Sequence, residues 1–128
     1  QLSEKDLAWT FRGNVPDVCS PLVMDGKLFI LDGDRRTMTC LNPKTGDVFW
    51  SEKLGVNDVF QASPTGADGK IYCISIRGQV VVLSAKDNFE VLSRIDMGEG
   101  ECRSTIAISH GQLFIKTSEN LYCIGIKK

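Results

Sequence analysis

Most of the features that announce a function class are missing from this chain of 128 residues. Its unbroken apolar runs are short, such as Leu28–Leu31 and Val80–Leu83, far below the ~20 residues a membrane helix needs. Neither sign of charge dominates: 15 Lys and Arg stand against 16 Asp and Glu, for a formal net charge of −1. No long-range field then favours nucleic acid or an anionic membrane surface. There is one histidine, His110, so any Ser-His or Cys-His catalysis has to run through that residue. Its place in a His110-Gly111 pair marks it as a turn residue instead. No CxxC and no Cys/His pair at zinc-ligand spacing occurs among Cys19, Cys40, Cys73, Cys102 and Cys123. An odd number of widely spaced cysteines makes a poor disulfide framework. Cys40, Cys73 and Cys123 lie inside apolar strand patterns and read as buried structural thiols. Gln1 opens the chain with neither Met nor a visible secretory signal, which leaves the compartment unread.

What is present is a repeat. "SPLVMDGKLFIL" begins at Ser20, "SPTGADGKIYCI" at Ser63 and "STIAISHGQLFI" at Ser104, spacings of 43 and 41 residues. In each unit a short strand runs into a tight turn, at Asp25-Gly26, Asp68-Gly69 or His110-Gly111. Such pairs suit type I′ hairpins, whose two central residues need positive φ. An alternating strand follows, then a polar turn and a third strand: "TMTCL", "QVVVL" and "NLYCI". No window shows helical periodicity. The expectation is an all-β chain of eleven or twelve short antiparallel strands. Four-stranded sheets at a period of ~40–45 residues are the pattern of β-propeller blades, here about three blade equivalents.

The stretch "CLNPKTGDVFW", Cys40 to Trp50, joins the third strand of unit one to a fourth. Gly46 is the expected positive-φ residue of its turn. Trp50 is expected to lie largely buried between blades, where a wide flat ring covers a seam. The stretch resembles the tryptophan-docking motif of PQQ-type, quinoprotein-like propeller repeats, in which Ala-x-Asp leads to Thr-Gly and then Trp. Cys40 holds the Ala position, Asn42 the Asp position, Thr45-Gly46 is intact and Trp50 is in register. In unit two, Asn88 and Leu92 take the Gly and Trp positions, so its docking is weakened. At the N-terminus, "LAWTFRG", Leu7–Gly13, reads as a lone fourth strand with Trp9 in the place of Trp50. The expected organisation is a single propeller segment over 1–128: outer strand 1–13, blade one 18–55, blade two 61–98, and blade three 102–128 without its outer strand. Either this is the C-terminal part of a longer propeller, or copies assemble by exchanging the Leu7–Gly13 strand.

The resemblance extends to BamB-like proteins of outer-membrane assembly, which implies a non-catalytic binding scaffold, periplasmic or otherwise extracytoplasmic, that holds a protein partner or small ligand on loops and edges. A quinoprotein dehydrogenase, or a ligand-sensing domain of a larger protein, is the alternative it leaves. Dehydrogenase chemistry requires PQQ, Ca²⁺ on oxygen ligands and an Asp base. The acidic candidates, Asp32, Asp34, Asp58, Glu99 and Glu101, sit in turns and linkers and read as solvated, including the "GEGE" linker Gly98–Glu101. Arg35 and Arg36 read as rim charges able to meet an anion. No catalytic, cofactor or metal residue is therefore assigned, and no enzyme activity is expected.

Overall fold

The computed structural model describes residues 2–125. After one turn of 3-10 helix at Glu4–Asp6, eleven strands follow. They are β1 Leu22–Met24, β2 Lys27–Asp32, β3 Thr37–Leu41 and β4 Val48–Lys53; β5 Thr65–Ala67, β6 Lys70–Ile74, β7 Gln79–Ser84 and β8 Val91–Asp96; β9 Ala107–Ser109, β10 Gln112–Lys116 and β11 Leu121–Gly125. Each set of consecutive strands forms its own antiparallel meander, in the orders β1-β2-β3-β4, β5-β6-β7-β8 and β9-β10-β11. The innermost strands touch in sequence, β1 with β5 and β5 with β9. The sheets therefore fan out as blades from one axis.

Local chemistry sets this pattern. The three inner hairpins turn on residue pairs with both φ positive: Asp25 (51°) and Gly26 (74°), Asp68 (52°) and Gly69 (71°), His110 (50°) and Gly111 (72°). That is the type I′ geometry whose twist matches the flanking strands. His110 is thus a turn residue, and its Nδ1 lies 2.9 Å from the hydroxyl of its neighbour Ser109 on an exposed tip.

Two apolar cores fill the seams. Between blades one and two, Phe29, Leu31, Met38 and Cys40 meet Ile71, Cys73, Val81 and Leu83. Between blades two and three, Tyr72, Ile74, Val80 and Val82 meet Leu113 and Ile115. Alternate residues of one strand thus serve two different cores, which explains why β6 and β7 are apolar on both faces.

Three expectations need correction. Among the described residues no strand forms over Leu7–Gly13, because no sheet edge lies beside this segment for it to pair with. In unit two, Ser93 rather than Leu92 takes the Trp50 position, because Trp50 pairs with Cys40 and Ser93 with Val82. The turn preceding β8 is one residue longer than that preceding β4, closing Ser84 to Glu90 where the other closes Asn42 to Asp47. Finally, Cys123 is exposed whereas the other four thiols are buried. It lies on the face of blade three against which no further sheet packs.

Candidate functional site

Two regions gather the polar chemistry of the fold: the tryptophan seats and the rim where the inter-blade linkers cross the strand ends. The first seat is built by the turn Asn42–Asp47. Its backbone closes through Asn42 N to Asp47 O and Gly46 N to Asn42 O, each 2.8 Å. The Asn42 side chain accepts from Lys44 N at 2.9 Å, and the Thr45 hydroxyl donates to Asp47 at 2.9 Å. Gly46 has φ +78°, and a Cβ there would come within 2.6 Å of the Trp9 ring. The ring thus lies directly on the bare glycine, and Trp9 Nε1 donates to the Pro43 carbonyl at 2.9 Å. Trp9 seats on blade one of its own chain, as the tryptophan of a preceding blade does.

Trp50 fills the corresponding seat differently. It is partly buried against the first core, with ring centroids 6.1 Å from Phe29 and 5.1 Å from Phe89. Phe89 immediately precedes Glu90 in the longer turn, so an aromatic edge occupies the space that Gly46 leaves open for Trp9. Trp50 Nε1 is buried without a hydrogen-bond partner. The seat keeps its apolar contact and loses its polar one.

At the rim, the linkers stitch the blades by backbone bonds that repeat with the units. Phe60 N donates to Gly33 O at 3.1 Å and Cys102 N to Ile76 O at 2.7 Å. Ile76 N donates to Val59 O and Ser118 N to Gly100 O, each at 2.9 Å. Gly33 permits the first crossing, since a Cβ there would sit 1.8 Å from the Phe60 carbonyl oxygen. At the end of each second strand, or one residue beyond it, a buried polar residue caps the next turn: Asp32, Ser75 and Thr117. Asp32 accepts from Arg35 N at 3.1 Å and from its guanidinium at 2.9 Å. Ser75 Oγ accepts from Gln79 N at 3.0 Å, and Thr117 Oγ1 from Asn120 N at 3.0 Å. Burial alone would raise the Asp32 carboxyl, but the hydrogen bonds and charge of Arg35 outweigh it and hold the group below the usual range.

The linker acids are committed to this frame. Asp58 lies 3.6 Å from Arg77 and accepts from Ser75 at 3.4 Å. Glu99 accepts from the Thr117 hydroxyl, from Tyr122 at 2.5 Å and from Asn120 at 3.0 Å. Those donors, Thr117 first, hold Glu99 below the usual carboxylate range, while the bond to Glu99 raises Tyr122. Glu101 meets Arg103 at 3.6 Å, and Asp34 is exposed. The expected solvated "GEGE" linker is therefore half an anchor: Glu99 ties blade three to blade two. Arg35 is engaged by Asp32, and Arg36 sits in the turn at φ 54° with its carbonyl accepting from Leu54 N. A cleft of about 740 Å³ opens between the linkers, lined in part by Asp58, Arg77, Asp96 and Glu101.

Burial pushes the thiols of Cys19 and Cys40 up to about 11 and raises Cys73 and Cys102 as well, so none is an activated nucleophile. Among the described residues no group of three or more His, Cys, Asp or Glu is placed to hold a metal ion. The acids that PQQ and Ca²⁺ would need are spread over a turn and two linkers, and four of them hold partners of their own. This donor set does not fit that cofactor.

Residues 2–91 match the family described as outer membrane protein assembly factor BamB. No curated protein sequence matches the chain. Among solved structures, BamB from Moraxella catarrhalis is similar with a TM-score of 0.68 at 15% identity, over 91% of this chain and 38% of that one. Quinohemoprotein alcohol dehydrogenase from Comamonas testosteroni is similar at 0.64 and 16% identity, over 79% and 17%. A europium-containing methanol dehydrogenase gives 0.64 and 18%, over 77% and 19%. At these identities the likeness establishes the propeller fold alone. The chain spans about two fifths of that BamB and under a fifth of either dehydrogenase.

Proposed function

This chain belongs to the family of outer membrane protein assembly factor BamB, and from that premise we propose that it is a non-catalytic binding module, holding a protein partner on its rim loops and sheet edges. One observation carries the reading: of the acidic candidates, all but the exposed Asp34 have a partner within the chain. Asp32, Asp58, Glu99 and Glu101 each bind a residue of the same chain, and the buried thiols are pushed away from thiolate. What stays available is surface suited to association. The outer strands β4 and β8 carry the exposed apolar residues Val48, Phe49, Leu92 and Ile95, and each bares one backbone edge. Such edges accept an added strand from a partner.

The same reading places the protein outside the cytoplasm, alongside outer-membrane assembly. No helix among the described residues is long and apolar enough to cross a membrane. The dehydrogenase reading shares the fold, but its donor set is not assembled here. The test is a calorimetric titration of the chain with soluble portions of an outer-membrane protein assembly complex. Saturable binding that weakens when Phe49→Lys or Leu92→Lys is introduced supports the proposal, and the absence of binding at micromolar concentrations contradicts it.

A further inference from the structure

The linker between blades two and three is held differently from its counterpart between blades one and two. In the earlier linker, Asp58 reaches Ser75 at 3.4 Å and Arg77 at 3.6 Å, with Asn57 and Val59 beside it. In the later one, Glu99 stands between Gly98 and Gly100, and its carboxylate accepts from three side chains of blade three. The Thr117 hydroxyl and the Asn120 amide come from the turn after β10, the latter at 3.0 Å, and the Tyr122 hydroxyl comes from β11 at 2.5 Å. Asn120 also donates to the Tyr122 oxygen at 3.2 Å, so the donors brace one another. Tyr122 packs against the core between blades two and three, so both blades supply this arrangement.

The backbone of Gly98–Glu101 is held at few points. A Cβ on Gly78 would come within 2.3 Å of the Glu99 carbonyl oxygen, so the segment rests on a bare glycine of the β6–β7 turn. Gly98, at φ +71°, has open space where a side chain would be, and its N–H donates to Asp96 at 2.8 Å. Main-chain bonds fix the flanks, from Met97 N to Gly78 O and from Cys102 N to Ile76 O, and one reaches the middle, from Ser118 N to Gly100 O. Beneath the segment, the Cys102 thiol is buried in the second core and lies 3.5 Å from the Glu99 carbonyl oxygen. Gly98, Gly100 and Glu101 also form one wall of the cleft of about 740 Å³.

We propose that Gly98–Glu101 is a strap latched by Glu99, and that protonating Glu99 lifts it off Gly78, uncovers Cys102 and reshapes the rim cleft. A carboxylate accepts from all three donors at once, whereas a carboxylic acid is a weaker acceptor and carries a proton where one donor points. Lys116 at the end of β10 favours the carboxylate, and Glu119 in the following turn acts on Tyr122. Arg77 lies beside Gly100, Glu101 is paired with Arg103, and the Cys102 thiol lies below. Thr117 first, and then Tyr122, hold Glu99 below the usual carboxylate range. The latch is therefore complete above the ordinary carboxylate pKa and is lost as pH falls through the lower value of the latched state. The device is independent of which partner the rim binds.

The test reads Cys102 in the intact chain, with Cys123→Ser removing the exposed thiol. A pyridyl disulfide, which reacts with thiols even in acid, is applied from about pH 7 to about pH 3, and labelled peptides are resolved by mass spectrometry. Rates are referred to the urea-unfolded chain at the same pH. Cys102 is expected to label about tenfold faster at the acid end, while Cys40 and Cys73 in the first core stay protected. Glu99→Gln is expected to label fast at neutral pH with no further response to acid. Tyr122→Phe keeps the ring, removes one donor and is expected to move the rise in labelling to higher pH, which carries the test if Glu99→Gln does not fold. Labelling of Cys102 only together with Cys40 and Cys73, or at one rate across the range, overturns the proposal. An unshifted profile in Tyr122→Phe overturns it too.

Discussion

The two tryptophans make opposite predictions for the same substitution. Trp9 seats its ring on Gly46 and donates its N–H to Pro43, whereas Trp50 packs on Phe29 and Phe89 with its N–H buried and unpaired. Tryptophan to phenylalanine keeps an aromatic ring and deletes the N–H. At Trp50 the smaller ring forfeits the apolar contact of a few carbon atoms, about 2 kcal/mol at roughly 0.8 kcal/mol per buried methylene. It also removes an unsatisfied buried donor, whose desolvation costs about 1–3 kcal/mol. The two nearly cancel, and Trp50→Phe is expected within about 1 kcal/mol of wild type. At Trp9 the same change loses a made hydrogen bond, about 1 kcal/mol, on top of the contact term, and is expected to cost about 2–3 kcal/mol. Urea unfolding followed by circular dichroism reads the difference. With a slope of about 2 kcal/mol/M, the Trp9→Phe midpoint falls by about 1 M or slightly more while that of Trp50→Phe barely moves. A Trp50→Phe variant destabilised as much as Trp9→Phe would refute the reading of an orphaned donor. A Trp50→Ala variant with an unchanged midpoint would refute the packing role itself.

Gly33→Ala forces a methyl against the Phe60 carbonyl oxygen and is expected to cost about 1–3 kcal/mol in the same assay, by displacing the linker from blade one. Glu99 has a folded-state pKa below its unfolded value, so its contribution to stability is present above the unfolded value and is lost as pH falls through the folded one. The wild-type unfolding midpoint should therefore drop below about pH 4, and Glu99→Gln should lower it at neutral pH while flattening that acid limb. An acid limb unchanged in Glu99→Gln would remove Glu99 from the blade-three anchor. A thiol reagent should label Cys123 rapidly and the four buried cysteines only on unfolding. Rapid labelling of more than one would contradict the two cores.

The elements easiest to find in the sequence were those fixed by a few adjacent residues. Asp-Gly and His-Gly pairs announce their own φ angles, and Gly46 sits in a turn closed entirely within Asn42–Asp47, so these positions needed no tertiary knowledge. The Ser93 position was hidden because one inserted turn residue shifts the strand phase, which counting along the sequence cannot detect. The caps at the second-strand ends were invisible for a different reason. Asp32, Ser75 and Thr117 share no side-chain type, only a short oxygen-bearing group that can accept a turn amide, so the repeat alignment does not link them. Glu99 read as solvated because its donors lie 18 to 23 residues downstream and are brought to it by blade three. Cys123 has the same apolar neighbours in sequence as Cys40 and Cys73. Its exposure depends on which sheet faces it, and that is a property of the tertiary arrangement rather than of the strand.

The claim that the chemistry of this chain is consumed by its frame is tested most directly by equilibrium dialysis of the purified protein against PQQ and Ca²⁺, with dye-linked alcohol oxidation measured on the retained fraction. With Asp32, Asp58, Glu99 and Glu101 held by their own partners, no stoichiometric retention and no turnover are expected. One PQQ retained per chain together with Ca²⁺, or alcohol-dependent dye reduction, would contradict it.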